Sequence, residues 1–182
     1  MGFADEVWWS RLAQPAMHAW ACPDTALRLV EKARAPHDPD PKALACYGLL
    51  VRAHPTPPEQ LWLRFAVGQP VSALTIQFLA WCCEHLAARG LRALLLVWDN
   101  ASWHTSQRVR AWIRDHNRQV EQRGGGVRIL PCRLPSKSPW LNPIEPTWVH
   151  GKRAVMEPAR VLPAQELADR ICAYDGCAHE AH

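Results

Sequence analysis

The 182-residue chain contains no run of eighteen apolar residues, so it lacks the hydrocarbon length of a membrane-spanning helix. No signal peptide opens it either, because Asp5 and Glu6 interrupt the stretch where an apolar core would lie. Both absences lead us to expect a cytoplasmic protein. Seven cysteines are present, an odd number, and no two form a C-x-x-C pair. In a reducing compartment that usage describes small buried side chains rather than a disulfide frame. Cys172, Cys177, His179 and His182 have a zinc-like mixture of ligand types, yet their spacings fit no finger pattern. No Gly-rich loop joins a strand to a helix: "RGGGVR" (123–128) precedes a strand, which argues against a nucleotide cradle. There is no internal repeat, and nothing resembles a Ser-His-Asp or Cys-His arrangement.

Hydrophobic residues make up 48% and charged residues 21%, the balance of a globular domain with a full core. We expect one domain over 1–160, with 161–182 its C-terminal helix and tail. The net charge of +4 is unevenly spread. Residues 1–99 hold 9 basic and 9 acidic side chains, whereas residues 100–160 hold 11 basic and 4 acidic. Such a segment suits a polyanion, since basic side chains release counterions from phosphates, and equally suits a solvated helix face.

Alternation and apolar runs predict strands over 2–9, 43–53, 61–67, 93–98 and 127–130, with a short extended piece near 18–21. The run 93–98 reads as buried on both faces and 127–130 as a short buried strand. The 3.6-residue period predicts helices over 71–89, 106–121 and 164–174. Between them, "PCRLPSKSPWLNPIEP" (131–146) packs five prolines into sixteen residues, a stiff loop. Asn142 is placed to cap a helix starting at Pro143 and running through Lys152. Trp8, Trp81, Trp98 and Trp112 fall on apolar faces and read as core. Trp103 and Trp140, in loops, are candidates for base stacking. Strands first, then alternating helices and strands, predict an α/β fold with a mixed central sheet flanked by helices.

Three carboxylates stand at element ends. Asp99 closes the 93–98 strand, Asp5 lies in the first strand, and Glu145 begins the helix after the proline-rich loop. In open α/β sheets, sites form at the carboxyl ends of strands. Acids brought together there repel one another unless a hard divalent cation compensates. Each also has an ordinary reading. Glu145 stands at capping-box spacing from Asn142, and Asp99 could cap the helix that follows.

The pairing of "VWDNASWHTS" (97–106) with "LPSKSPWLNPIEPTWVHGKR" (134–153), preceded by "FADEVWW" (3–9) and "HAWA" (18–21), resembles the catalytic half of mariner-type DDE transposases of the bacterial insertion-sequence branch. That resemblance implies an RNase H-like fold, with Asp5, Asp99 and Glu145 as the catalytic and metal-binding triad. It implies two Mg²⁺ (or Mn²⁺) ions, DNA cleavage and strand transfer at transposon ends, and a nucleoid-associated location. Double-stranded DNA, as transposon end and as target, would be the partner of an active homodimer. Asn100, His104, Lys137, Asn142, Lys152 and Arg153 would contact DNA or orient loops, Lys152 lying two turns after Glu145. The family's N-terminal helix-turn-helix region has no counterpart here. With four residues before Asp5, a short and frayed first strand is expected. Two other readings stand beside this one. One is a catalytically inactive remnant that binds DNA non-specifically. The other is an unrelated metallohydrolase of small phosphorylated substrates, against which the basic stretch Arg108–Lys137 argues.

Overall fold

The computed structural model describes residues 1–14, 32–52 and 59–177. The extended piece expected near 18–21, most of the turn before residue 60, and His179 and His182 lie outside these residues.

Three strands, β1 (Gly2–Ser10), β2 (Ala43–Val51) and β3 (Gln60–Val67), form an antiparallel meander. β4 (Ala93–Trp98) runs parallel to β1, and β5 (Arg128–Arg133) parallel to β4, giving the order β3-β2-β1-β4-β5. β1 is therefore central. It is not frayed as expected: it pairs with β2 along its whole length, from Gly2↔Val51 to Ser10↔Ala43. Its start is held by the Met1 amino group on the Arg52 carbonyl (2.9 Å) and the Arg52 amide on the Met1 carbonyl (2.8 Å). Gly2 also lets Leu49 and Leu94 close in where a Cβ would stand within 2.9 Å of both.

The two-residue period of β1 sends Phe3, Val7 and Trp9 into one core and Ala4 into another. The first core is closed by α4 (Glu145–Val155) and α5 (Ala164–Asp175), through Trp148, Leu167 and Ile171. On the opposite face, α1 (Ser72–Ala88) and α3 (Gln107–Arg123) supply Phe78, Leu79, Val109 and Ile113. Trp9 rather than Trp8 is the buried member of its pair, Trp8 being 41% exposed.

Two strands are less covered than the sequence suggests. Leu95 of β4 and its partner Leu130 of β5 are 39% and 48% exposed, so β4 is not buried on both faces. β5 is the sheet edge, with Ile129 its one buried residue. An edge tolerates Pro131, which has no N–H to donate to a ladder. The helix expected over 106–121 is α3, preceded by a short extra turn, α2 (Ser102–Thr105), and its first turn is capped by Ser106 Oγ accepting from the Val109 amide (3.2 Å). Gly124, at φ +63°, ends α3 in the left-handed conformation that glycine adopts without strain.

Candidate active site

Strand register puts two of the acids on neighbouring elements. Phe3 of β1 stands beside Val97 of β4 in a parallel pair. Two residues beyond that pair come Asp5, midway along β1, and Asp99, just past the end of β4. The third acid arrives from α4. Trp148 donates its indole N–H to Asp5 Oδ2 (2.8 Å), and Glu145 precedes Trp148 by three residues, on the same side of that helix. This docking depends on Gly48, the β2 partner of Asp5, because a Cβ there would lie 2.5 Å from the Trp148 ring.

Asp99 and Glu145 line a cleft of about 320 Å³ together with Asn100, Lys137 and Asn142. Asp5 does not line it and is coupled to the others through the charge of Glu145. Among the described residues, no three His, Cys, Asp or Glu side chains stand close enough to hold an ion as they are.

The other sequence-derived candidates divide. Asn142 is 1% exposed and does not cap α4. A 3-10 turn over Pro139–Leu141 precedes it, and α4 begins at Glu145 rather than Pro143, with Ile144 at the N-cap. The Asn142 side chain instead donates to the Ala4 carbonyl (3.1 Å), tying the proline-rich loop to β1 next to Asp5. Glu145 is thereby spared any capping-box role, since its amide bonds to the Asn142 main-chain carbonyl (3.1 Å). Asn100 donates to the Leu134 carbonyl (2.7 Å) and fastens the loop after β4 to the end of β5. His104 is buried and bonds Asp99, and Asp99 Oδ1 also accepts the Ala101 amide (2.9 Å), so Asp99 caps no long helix. Lys137 sits exposed at a positive φ of 58° on the cleft rim. Lys152 exerts its charge on Glu145. Arg153 is not brought to the acids; with Lys152 it borders a separate hollow beside Trp8 and Met156.

Trp103 is turned inward rather than offered to a base, its indole N–H donating to Glu6 Oε2 (2.8 Å). Glu6 is the residue sequence reasoning overlooked. The signal was available in the adjacent acids of β1, which alternation must send to opposite faces, one of them into the core.

Burial, reinforced by the Glu145 charge, pushes the Asp5 carboxyl up to about 7 against the pull of the Trp148 bond. Glu145 is raised by burial and by Asp99, with Lys152 opposing. Burial would lower His104, but its bonds to Asp99 and Glu6 prevail and carry it to about 9. The hydrogen bond from His104 holds Asp99 below its usual range. Between pH 5 and 9, above the range where Asp99 titrates, Asp5 and His104 act in one direction. Asp5 keeps in the fold a proton that the unfolded chain releases near pH 4, so stability falls as pH rises from there to about 7. The stabilisation from protonated His104 is complete below pH 6.5 and is lost as pH rises through about 9. In metal-free buffer the melting temperature is therefore expected to fall steadily from pH 5 to pH 9. A flat or rising profile in differential scanning fluorimetry would contradict the burial of these groups.

Residues 67–167, more than half of the chain, match the family described as DDE superfamily endonuclease. This chain belongs to that family. The matched span of this DDE superfamily endonuclease includes Asp99 and Glu145, while Asp5 precedes it and is placed by the sheet alone. Among solved structures, the chain is similar to a Mos1 transposase paired-end complex with left transposon end, at TM-score 0.66 and 15% identity over 97% of this chain and 48% of that one. It is also similar to a Mos1 mariner paired end complex with Mn, at TM-score 0.62 and 13% identity over 97% of this chain and 48% of that one. The chain thus has an RNase H-like fold and spans about half the length of the transposase chains it resembles. No curated protein matches it in sequence.

Proposed function

We propose that this DDE superfamily endonuclease is the catalytic core of a mariner-type transposase of the bacterial insertion-sequence branch. It cleaves DNA at transposon ends and joins the freed 3′-hydroxyl to target DNA. The observation that supports the reading is the β1–β4 register, which puts Asp5 and Asp99 on neighbouring elements, together with Trp148, one turn after Glu145 on α4, bonded to Asp5.

The donor set fits a hard divalent cation. All three side chains offer oxygen only, and among the described residues Asp99 Oδ2 accepts no hydrogen bond while Oδ1 accepts two. Asp5, Asp99 and Glu145 would hold two Mg²⁺ or Mn²⁺ ions, which neutralise phosphodiester charge and activate the attacking oxygen. Lys137 on the cleft rim and Lys152 beside Glu145 are placed to meet phosphates of the bound strand, and Asn100 keeps the cleft loop in place. Arg153 extends the basic surface beyond the acids. On α3, Arg110, Arg114 and Arg118 follow one another at four-residue spacing, all exposed, an additional track for a DNA backbone. The working unit in this reading is a homodimer on DNA, in the cytoplasm at the nucleoid.

Nicking of supercoiled plasmid in Mg²⁺ or Mn²⁺, stopped by EDTA, tests the proposal. Duplex binding should weaken steeply with salt, as expected when several phosphates are neutralised. Salt-sensitive binding without nicking in either metal would reduce the protein to a DNA-binding remnant. Binding indifferent to salt would remove DNA as the partner.

A further inference from the structure

We propose that Glu6 is a positioning residue for Asp99, acting through His104; this rests on the reading of Asp99 as a metal ligand.

The alternation of β1 sends Glu6 to the side opposite Asp5, among side chains where a carboxylate would ordinarily be avoided. Its side chain is 4% exposed. Its oxygens accept the indole N–H of Trp103 (2.8 Å) and the Nε2–H of His104, which lies 2.9 Å from Oε1 and 2.8 Å from Oε2. His104 is itself 1% exposed in its side chain and lies flat on the Trp98 indole, with ring centroids 4.5 Å apart and planes at 18°. Its other nitrogen, Nδ1, donates to Asp99 Oδ1 (2.7 Å). A ring with a carboxylate on each side donates from both nitrogens, so its orientation is set at both ends.

The consequence falls on Asp99, whose side chain is 51% exposed and would otherwise sample several rotamers. With Oδ1 taken by His104 and by the Ala101 amide, Oδ2 is the oxygen open to a ligand. Burying Glu6 for packing alone would be a poor solution, because an apolar side chain fills the same volume without desolvating a charge. A chain of hydrogen bonds that runs from a buried acid, through a buried imidazole, to a half-exposed ligand has the form of an outer-shell support. Residues in such supports orient ligands, and their removal weakens metal binding.

The test is calorimetric titration of Mn²⁺ into the full chain, comparing wild type with Glu6→Gln and Asp99→Asn. Glu6→Gln keeps the shape of the side chain and should weaken Mn²⁺ binding about 10- to 100-fold. Its affinity for duplex DNA in EDTA should match that of wild type. Unaltered Mn²⁺ affinity in Glu6→Gln, with or without a lower melting temperature, would overturn the proposal and leave Glu6 a structural residue. If Asp99→Asn also binds Mn²⁺ like wild type, the metal reading of Asp99 fails, and the positioning role fails with it. Loss in Asp99→Asn but not in Glu6→Gln isolates the failure to Glu6. Should Glu6→Gln not fold, Trp103→Phe removes the indole donor to Glu6, with part of the ring that meets His104 edge-on, and should shift Mn²⁺ affinity in the same direction by a smaller factor. No shift in that variant would count equally against the proposal.

Discussion

Asp99→Asn should reduce metal-dependent nicking to background while leaving the fold intact. Asparagine is isosteric, and its carbonyl can still accept from the Ala101 amide and from His104, the two bonds that hold the native side chain. Its other terminal atom becomes an NH₂ group, a donor where the proposed site needs an oxygen ligand. The loss is thus in charge and in one ligating atom rather than in packing. The variant also loses one of the two charges that hold protonated His104, so a modest drop in melting temperature should accompany the loss of nicking. Duplex affinity in EDTA should be retained, since the substitution removes a negative charge from a surface that meets phosphates. Comparing initial nicking rates of wild type and variant at saturating Mg²⁺ checks this. Wild-type rates in the variant would remove Asp99, and with it the three-acid site, from the mechanism.

Gly48→Ala is the second large effect, at a position that bears no chemistry of its own. A methyl group there would meet Trp148 at 2.5 and 2.7 Å and Ile144 at 2.9 Å. Both neighbours are buried core side chains, 3% and 0% exposed, so neither can swing into solvent to make room. Overpacking of this kind costs about 1–3 kcal/mol. The functional consequence follows from the same contact, since the displaced indole carries the N–H that bonds Asp5, and Glu145 sits one turn before it on α4. Gly48→Ala should therefore show a lower denaturation midpoint together with a nicking defect that persists well below that midpoint. Wild-type stability in urea unfolding would mean that Trp148 does not pack against the β2 backbone as described.

Much of the architecture could be read along the chain. The alternating apolar positions of β1 and β3 and the helical period of α1 and α5 are local patterns, and they place those elements within a residue or two. Where the reading slipped, the cause was context. The exposure of Leu95 follows from α4 and α5 leaving the β4–β5 side of that face uncovered, which no pattern within β4 can announce. The capping-box reading of Glu145 obeyed helix grammar. It lost because Asn142 finds a buried carbonyl on β1, 138 positions away in sequence, and turns its side chain there instead. Trp103 looked like a loop aromatic for stacking, and a buried carboxylate 97 positions earlier claimed its N–H.

On its own, the sequence determined that this is an α/β domain with a basic middle segment and three acids, Asp5 within the first strand, Asp99 after the fourth and Glu145 at the start of a helix. Those features depend on residue type and periodicity, which act over a few residues. Only the tertiary structure decided which oxygen of Asp99 stays open, that Trp148 reaches Asp5, and that Glu6 and His104 stand behind the site. Each of these depends on a hydrogen bond between atoms five to 143 positions apart, and such bonds exist only once strand register and helix docking have set the distances.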